Sequence, residues 1–275
     1  MDVEQQVAEH YRRGGLERAI LDALQTAGKD IDRLTTADLA GADEFHLGWK
    51  PATVALAQDL DLAPEMRLVD IGSGLGGPAR YFAEAHRCRV EGIDLTRDFV
   101  DCANGFTARC GLAERASFRQ ASALAMPFPD ASFDRATLIH VGMNIADKAG
   151  LFAEARRVLK PGGLFGVYEV MRMTADAIPY PMPWAATEQT SFVAPPEAYR
   201  AQLAAAGFAI EQEQNRRELA LALWQQMRAR AEQDGPPALG LHILMGPATP
   251  ERLGNVMTTL QAGTIAPVQM VARAL

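Results

Sequence analysis

Features typical of membrane-spanning, secreted and nucleic-acid-binding proteins are missing from this sequence. No apolar run approaches the roughly 18–20 residues that span a bilayer. The N-terminus, M-D-V-E-Q-Q, is acidic and has no apolar core of a secretion signal. Basic residues are in deficit, since the net charge is -7 and no run of Lys and Arg exceeds two residues. We therefore expect a cytoplasmic protein without a membrane span and without a nucleic-acid partner.

Cysteine is scarce as well. The three cysteines, Cys88, Cys102 and Cys110, are an odd number without metal-ligand spacing. This pattern predicts reduced thiols in an intracellular compartment and no metal site. What the chain does have is a sizeable apolar fraction, 48% of its 275 residues. A chain of this size and composition forms one large domain, or one domain with an appended lid.

One stretch organises the rest of the sequence. Residues 66–71 are a short apolar run of the kind that forms a buried parallel strand, and the glycine-rich run 72–77 follows directly. Pro78 opens a segment with helical spacing, and a second strand at 89–93 ends in Asp94. An acid at that distance from the glycines can accept hydrogen bonds from both hydroxyls of a ribose. The stretch is therefore typical of a nucleoside-binding βαβ unit.

The details of the glycine loop indicate which nucleoside it binds. Its spacing is G-x-G-x-G-G, formed by Gly72, Ser73, Gly74, Gly76 and the glycine after it, whereas the dinucleotide fingerprint is G-x-G-x-x-G. Asp70, two residues before the first glycine, would repel a diphosphate and suits a cationic ligand. A nicotinamide-dependent oxidoreductase is therefore disfavoured.

Three segments together resemble the class I S-adenosylmethionine (SAM) methyltransferases. They are V-D-I-G-S-G-L-G-G at 69–77, S-A-L-A-M-P-F-P-D-A-S-F-D at 122–134 and L-K-P-G-G at 159–163. The resemblance implies that SAM is the cofactor and that Asp94, Leu95, Ala123 and Leu124 contact it together with the glycine loop. The sequence departs from the family at Ser122, where an Asp usually accepts from the adenine amino group. A serine oxygen can accept too, but without charge.

The resemblance also implies the architecture. We expect an α/β fold: a Rossmann-like, seven-stranded methyltransferase sheet with helices on both faces. Residues 1–60 are predicted to form an N-terminal helical cap, and residues 61–275 the methyltransferase domain. Two stretches outside the alternating pattern, about 171–200 and 215–264, are predicted to be lids over the acceptor. The Gly14-Gly15 pair predicts two short helices within residues 1–30.

Two side chains are candidates for catalysis. His140 follows the predicted fourth strand at 135–139, and Glu169 ends the predicted fifth strand at 164–170. Open α/β sheets bind ligands beyond the carboxyl ends of their strands, so both lie where donor and acceptor should meet. Each also has a structural interpretation: His140 can hydrogen-bond to backbone or cofactor, and Glu169 can pair with Arg172.

Aromatic residues, methionines and histidines mark the predicted acceptor pocket. They lie before the first strand, after the fourth and fifth strands and in the lids, although core packing explains several of them equally well. The predicted pocket residues are Phe45, His46, Trp49, Met143, Asn144, Met171, Tyr180, Trp184, His242 and Met245. As a set they favour a medium-sized, partly apolar acceptor.

The sequence thus predicts methyl transfer from SAM to an amine, hydroxyl or carbon of a small molecule in secondary metabolism. F-H-L-G at 45–48 and H-V-G-M-N-I-A-D-K at 140–148 resemble the sarcosine/dimethylglycine N-methyltransferases and natural-product methyltransferases. Two alternatives stay open: a catalytically silent SAM-binding protein, and an N-methyltransferase of glycine-type amino acids. A homodimer through the cap or lid helices is also left open.

Overall fold

A single mixed sheet of seven strands forms the centre of the structure, which is a computed structural model. It describes residues 3–12, 14–235 and 237–275. The strands are β1 (Arg67–Ile71), β2 (Arg89–Asp94), β3 (Ala116–Gln120), β4 (Phe133–Ile139), β5 (Leu159–Arg172), β6 (Phe208–Asn215) and β7 (Ile265–Ala274). Their order is β3-β2-β1-β4-β5-β7-β6, with β7 antiparallel to both of its neighbours and β1 to β5 parallel. The predicted fold class is confirmed.

Helices cover both faces of the sheet and one end of it. Within the described residues they are α1 (Val3–Tyr11), α2 (Leu16–Thr26), α3 (Thr36–Asp43), α4 (Trp49–Asp59), α5 (Gly77–Ala85), α6 (Arg97–Arg109), α7 (Lys148–Val158), α8 (Pro196–Ala205), α9 (Arg217–Asp234), α10 (Leu241–Met245) and α11 (Thr249–Ala262). The two short N-terminal helices match the break predicted at Gly14-Gly15.

Two apolar layers hold the helices on the sheet. On one face α7 and α8 contribute Phe152 and Leu203 to a core with Phe165 of β5, all of them buried. On the other face α5 and α6 pack Phe82 and Val100 against β1 and β2. Because these strands are covered on both faces, their sequences are nearly continuous apolar runs, which is why they could be located from the sequence.

The N-terminal helices and the late helices pack around the end of the sheet where the parallel strands finish. Leu16 and Ile20 of α2 share a buried cluster with Phe106 of α6 and Leu244 of α10. A second cluster joins α9 and α11 to Trp184 of the loop after β5. The division into a cap at 1–60 and a domain at 61–275 stays a prediction, and Met1, Asp2, Arg13 and Pro236 lie outside the described residues.

The start of α6 shows how the sequence shapes the site locally. Thr96 holds the predicted N-cap position, but its side chain makes no capping hydrogen bond. Instead the Asp94 carboxylate accepts from the Thr96 N–H at 2.8 Å and from the Gly74 N–H at 2.9 Å. One acid therefore fixes both the helix start and the glycine loop at the end of β2.

Candidate active site

A deep cavity lies at the carboxyl ends of the parallel strands. Its floor, as we use the term, is formed by the lining residues within 70–75, 93–96 and 139–147, together with Ala121, Ala123 and Leu124, at the ends of β1, β2, β3 and β4. Its roof is formed by α1, the segment 42–49, Pro183 and Trp184, and by residues of α9, α10 and α11. Open parallel sheets bind ligands at this edge, so the cavity is the candidate active site.

Most of the predicted cofactor residues line the floor. These are Asp70, Gly72, Ser73, Gly74, Asp94, Leu95, Ala123, Leu124 and His140. Gly74 has a φ of 53°, and a Cβ placed on it would meet no atom within 4 Å. The backbone there is open to a ligand lying against it, which is the fit that a nucleoside requires of this loop.

Two predicted cofactor residues do not line the cavity. Gly76 begins α5 with a φ of 81°, and a Cβ on it would lie 2.6 Å from the Phe118 ring. Its role is therefore packing behind the loop. Ser122 lies beside the floor and makes hydrogen bonds to Glu4 and to the Leu124 N–H. Both residues therefore lie outside the lining of the cavity, and a part for them in cofactor binding stays a prediction.

The floor carboxylates have perturbed acidities. Asp70 is buried and accepts from the Thr137 hydroxyl at 2.7 Å. Burial, opposed by the Thr137 hydrogen bond and aided by the nearby Asp94 carboxylate, raises the pKa of Asp70 to about 6. Burial also raises the pKa of Asp94, against the Thr96 and Gly74 N–H groups. A cation in the cavity would favour the ionised form of both acids.

His140 is held by backbone groups on both sides of its ring. The Leu47 N–H donates to Nε2 at 3.1 Å, so Nδ1 carries the proton and donates to the Tyr168 carbonyl at 3.1 Å. Burial, together with the nearby His46, lowers the pKa of His140 to about 3. Its φ of 53° lies in the left-handed region, which non-glycine residues rarely adopt. With both ring nitrogens occupied, His140 is built to link roof and floor, and the geometry gives no support to proton transfer by it.

Glu169 supports the loop after β4 from below. Its Oε1 accepts from the Val141 N–H at 2.8 Å and the Gly142 N–H at 2.9 Å. Its side chain is fully buried and does not line the cavity. Burial raises the pKa of Glu169 to about 7, opposed by these two N–H groups. Glu169, predicted as a catalytic candidate, is thus placed to position the loop. Its hydrogen bonds in the described structure do not include the predicted pairing with Arg172.

Six of the predicted acceptor-pocket residues line the cavity. They are Phe45, His46, Trp49, Met143, Asn144 and Trp184. Asn144 accepts from the Tyr11 hydroxyl at 3.0 Å and donates to the Trp184 carbonyl at 2.7 Å, so it joins the floor loop to two parts of the roof. Trp49 stacks on Trp224 with 6.3 Å between ring centroids and 15° between planes.

The other four are placed elsewhere. Met171 is fully buried in the core formed with α7 and α8, because side chains of a strand alternate between faces. Tyr180 packs against the cluster that joins α9 and α11 to Trp184, and Met245 is buried outside the lining. His242 is exposed, since its helix turns Leu241 and Leu244 toward the cavity instead.

Several lining residues carry no recognisable sequence signal. The roof includes Glu4 and Val7 of α1, Trp224 of α9, and Leu253, Val256 and Met257 of α11. The last three have the spacing of one helix face, so an apolar stripe was visible, but the stripe does not state what it faces. No group of three or more His, Cys, Asp or Glu residues in the described part of the chain is arranged to hold a metal ion. None of the described helices is long and apolar enough to cross a membrane.

His46 lies in a buried polar group at the roof. It shares Nε2 with the Glu44 carboxylate at 2.9 Å and with the Thr53 hydroxyl at 3.1 Å. The Thr53 hydroxyl donates to the same Glu44 oxygen at 2.5 Å. Although burial acts the other way, the hydrogen bond from His46 and the other partners hold the pKa of Glu44 below its usual range. A carboxylate behind an imidazole fixes its orientation and tautomer.

Comparisons with known proteins agree with this geometry. The family model described as a methyltransferase domain matches residues 69–167. A sterol 24-C-methyltransferase of Gibberella zeae is 39% identical over 114 residues, which are 42% of this chain and 30% of that protein. The matched part of this chain thus corresponds to less than a third of the length of these relatives.

Solved structures extend the likeness of fold to the whole chain. The [4+2]-cyclase SpnF superposes with a TM-score of 0.70 at 24% identity, covering 98% of this chain and 96% of that one. The geranyl diphosphate C-methyltransferase of Streptomyces coelicolor A3(2), solved with Mg²⁺, geranyl diphosphate and S-adenosylhomocysteine (SAH), superposes with a TM-score of 0.71 at 17% identity. It covers 100% of this chain and 98% of that one. The resemblance to methyltransferases is therefore confirmed over residues 69–167, and beyond them the likeness is one of fold.

Proposed function

We propose that this chain, which carries a class I methyltransferase domain, transfers a methyl group from SAM to a neutral, mainly apolar small molecule. One observation carries the choice of acceptor. The described residues that line the cavity include five acids, Glu4, Asp43, Asp70, Asp94 and Asp147, and no Lys or Arg. Such a cavity attracts a cationic cofactor and repels a phosphorylated or carboxylate-bearing acceptor.

The floor supplies the groups that hold the cofactor. Asp94 accepts hydrogen bonds from the ribose hydroxyls. Each of its two oxygens already accepts from one backbone N–H and keeps a lone pair for a hydroxyl. Gly74 gives its open backbone, and Leu95 and Leu124 enclose the base. Asp70 faces the positively charged end of the cofactor. SAM brings an already activated methyl group, so the chain's main task is to align the acceptor and exclude water.

The roof supplies the acceptor's surroundings. Its lining is mainly aromatic, aliphatic and methionine side chains, which bury an apolar acceptor without directing a charge. The main ones are Leu47, Trp49, Trp184, Trp224, Leu241, Leu244, Leu253, Val256 and Met257. Met143 of the floor and Val170 of β5 share a buried cluster with Trp184, Val256 and Met257. A glycine-type acceptor would need a cation for its carboxylate, so this alternative from the sequence has little support in the lining.

His46 is the lining group best arranged to take a proton where the acceptor must lose one. The Glu44 carboxylate accepts from Nε2–H at 2.9 Å, whereas Nδ1 has only a long contact of 3.4 Å with the Leu47 carbonyl oxygen, which an acceptor would have to displace to deliver its proton there. Both nitrogens of His140 are held more tightly by backbone groups, at 3.1 Å each. We expect His46→Asn to lower kcat by about 10²-fold for a hydroxyl acceptor, the usual range for loss of a general base. Unchanged kcat in this variant would remove His46 from the mechanism.

The setting of the reaction is part of the same proposal. The three cysteines are free in the structure, which supports a reducing, cytoplasmic compartment. The large apolar roof supports an acceptor from secondary metabolism. Assembly as a homodimer through the N-terminal or late helices stays a prediction.

The function is tested by binding and turnover. We expect calorimetric titration to give micromolar SAH binding that is lost in Asp94→Asn and kept in Asp101→Asn, an exposed acid on α6. Turnover with SAM should then methylate neutral isoprenoid, sterol-like or polyketide acceptors and leave phosphorylated and amino-acid acceptors unchanged. Methylation of only the charged acceptors would contradict the proposed substrate class, and absence of SAH binding would contradict the proposed activity.

A second candidate follows from the likeness of fold to a [4+2]-cyclase over nearly the full length of both chains. In this case the apolar roof would hold a neutral polyene in a folded conformation, and bound SAM would be structural rather than consumed. The two candidates differ in their products. Methyl transfer releases SAH and adds one methyl group to the acceptor, whereas cyclisation gives an isomer of unchanged mass without SAH.

A further inference from the structure

The N-terminal helix α1 contributes one of its faces to the cavity. Val3, Glu4, Val7 and Tyr11 line it, and the spacing of the last three places them on one helix face. At one end the Tyr11 hydroxyl donates to Asn144 Oδ1 at 3.0 Å, and its ring packs against Phe99 with 5.8 Å between centroids. The helix therefore spans about 10 Å between Glu4 and Tyr11, at a rise of roughly 1.5 Å per residue.

At the other end, a hydrogen bond between Glu4 and Ser122 joins α1 to the loop after β3. The Ser122 hydroxyl donates to Glu4 Oε1 at 2.5 Å and accepts from the Leu124 N–H at 3.0 Å. The hydroxyl proton is thereby committed to Glu4. Oε2 of the carboxylate takes part in no hydrogen bond that the described structure assigns to Glu4. Glu4 therefore brings an ionisable acceptor with spare capacity to the cavity wall.

The place of this contact is set by the order of the sheet. Asp94 ends β2, and residues 121–124 follow β3, the next strand outward. A nucleoside whose ribose is held at Asp94 extends its base toward β3, and hence toward Ala123, Leu124 and Glu4. Among the lining residues at this end, Ala123 and Leu124 are apolar and Glu4 is the charged acceptor.

Resting on the proposed SAM-dependent function, we propose that Glu4 recognises the 6-amino group of the adenine and that Ser122 positions it to do so. The amino group has two N–H donors, which a carboxylate accepts more strongly than a neutral oxygen does. One helix would then contact the cofactor along its length, with Glu4 over the base and Tyr11 over the reacting end. Binding of the cofactor would therefore also hold α1 in its place in the roof.

The competing explanation is that Glu4 only anchors α1. The two explanations differ in base selectivity, because an anchor has no preference between adenine and a base that carries a 6-oxo group. The experiment therefore titrates SAH and its 6-oxo analogue, S-inosylhomocysteine, into the full chain by calorimetry. The variants are Glu4→Gln, Glu4→Gln with Ser122→Asp, and the matched control Glu9→Gln, an exposed acid on the same helix.

We expect Glu4→Gln to weaken SAH binding about tenfold, the effect of losing one charge-assisted hydrogen bond. Binding of the 6-oxo analogue should be unchanged or tighter, since an amide can donate to its oxygen. Ser122→Asp in the Glu4→Gln background should restore SAH binding, and Glu9→Gln should change neither ligand.

Equal losses for both ligands in Glu4→Gln would overturn the proposal and leave Glu4 as an anchor, while the proposed cofactor stands. Unchanged binding of both ligands in this variant would overturn it in the same way. Absence of SAH binding in the unsubstituted chain would overturn the proposed function and this inference with it.

Discussion

The floor and the roof of the cavity are built by different physical means. The floor is made by strand ends, where carboxylates such as Asp70 and Asp94 and the open backbone of Gly74 face the ligand. The roof is made by apolar side chains from helices far apart in sequence, among them Trp49, Trp224 and Met257. Hydrogen-bonding groups at fixed positions suit one ligand, and apolar surfaces can be reshaped for many. We infer that the floor holds the constant cofactor and the roof determines the acceptor.

Besides the contacts of Asn144 and Glu4, two joints hold the segment 43–47 of the roof in place. Leu47 of the roof donates its N–H to His140 Nε2 and accepts from the Tyr168 hydroxyl at 2.7 Å. Arg80 of α5 is fully buried and pairs with Asp43 of α3 at 2.6 Å. These contacts fix the position of residues 43–47 in the roof. Helix α9 has few buried contacts to hold it, since most of its residues are exposed.

Loss of the Arg80–Asp43 joint should have the largest effect. Arg80→Met leaves the Asp43 carboxylate buried without its cation. We expect a loss of about 3–5 kcal/mol in the free energy of unfolding, the usual result of removing one partner of a buried ion pair. Urea denaturation measures this loss.

Two matched variants define the cause. Arg80→Met with Asp43→Asn should recover at least about 1 kcal/mol, because the buried charge is then removed. Arg97→Ala breaks the exposed Arg97–Asp101 pair and should cost only about 0–1 kcal/mol. Equal effects of Arg80→Met and Arg97→Ala would contradict the importance of this joint.

A smaller effect is expected from titration of the floor. The pKa of Asp70 is raised to about 6, and its carboxylate attracts the cationic cofactor only when ionised. Affinity for SAM should therefore be full above this pH and fall as the pH drops through 6, by about tenfold between pH 7 and pH 5. SAH, which lacks the sulfonium charge, should lose less.

Asp70→Asn separates the effect of Asp70 on the pH dependence of SAM affinity from the effects of other titratable groups near the cavity. Asp94, Glu44 and His46 act on Asp70, and burial raises the pKa of Asp43 to about 6 as well. The variant keeps an oxygen for the Thr137 hydroxyl but cannot ionise. Its affinity for SAM should be lower at pH 7 and change less toward pH 5. A profile identical to that of the unsubstituted chain would exclude Asp70 as the group responsible.

The smallest effect, and the one most specific to the roof, is expected at Trp224. Trp224→Ala removes one ring of the Trp49–Trp224 stack at the cavity wall. We expect the KM for an apolar acceptor to rise about fivefold, from a lost aromatic contact of roughly 1 kcal/mol. The Kd for SAH should stay unchanged. A parallel loss of SAH affinity would mean that roof and floor do not divide the two ligands.

The sequence predicted the floor better than the roof for a physical reason. A buried parallel strand and the glycine turn after it leave local patterns, so Asp70, Gly74 and Asp94 could be placed before the structure was known. Neighbouring strands bring their ends together by topology alone, which also placed Ala123, Leu124 and His140 at the cavity.

Side-chain roles at the roof depend on contacts that no local pattern encodes. Met171 follows an accessible strand end, yet the alternation of β5 turns it into the core. His242 lies in an apolar run, yet its short helix presents Leu241 and Leu244 to the cavity. The bonds that occupy His140 come from Leu47 and Tyr168, 93 and 28 residues away, so its engaged state could not be read from the sequence.

The most direct test of the account is the fate of the methyl group. The chain would be incubated with SAM carrying a deuterated methyl group and with neutral apolar acceptors, and the products analysed by mass spectrometry. The account predicts that one labelled methyl group appears on an apolar acceptor, with release of an equal amount of SAH. An acceptor converted to an isomer of unchanged mass, with the labelled SAM intact, would contradict methyl transfer.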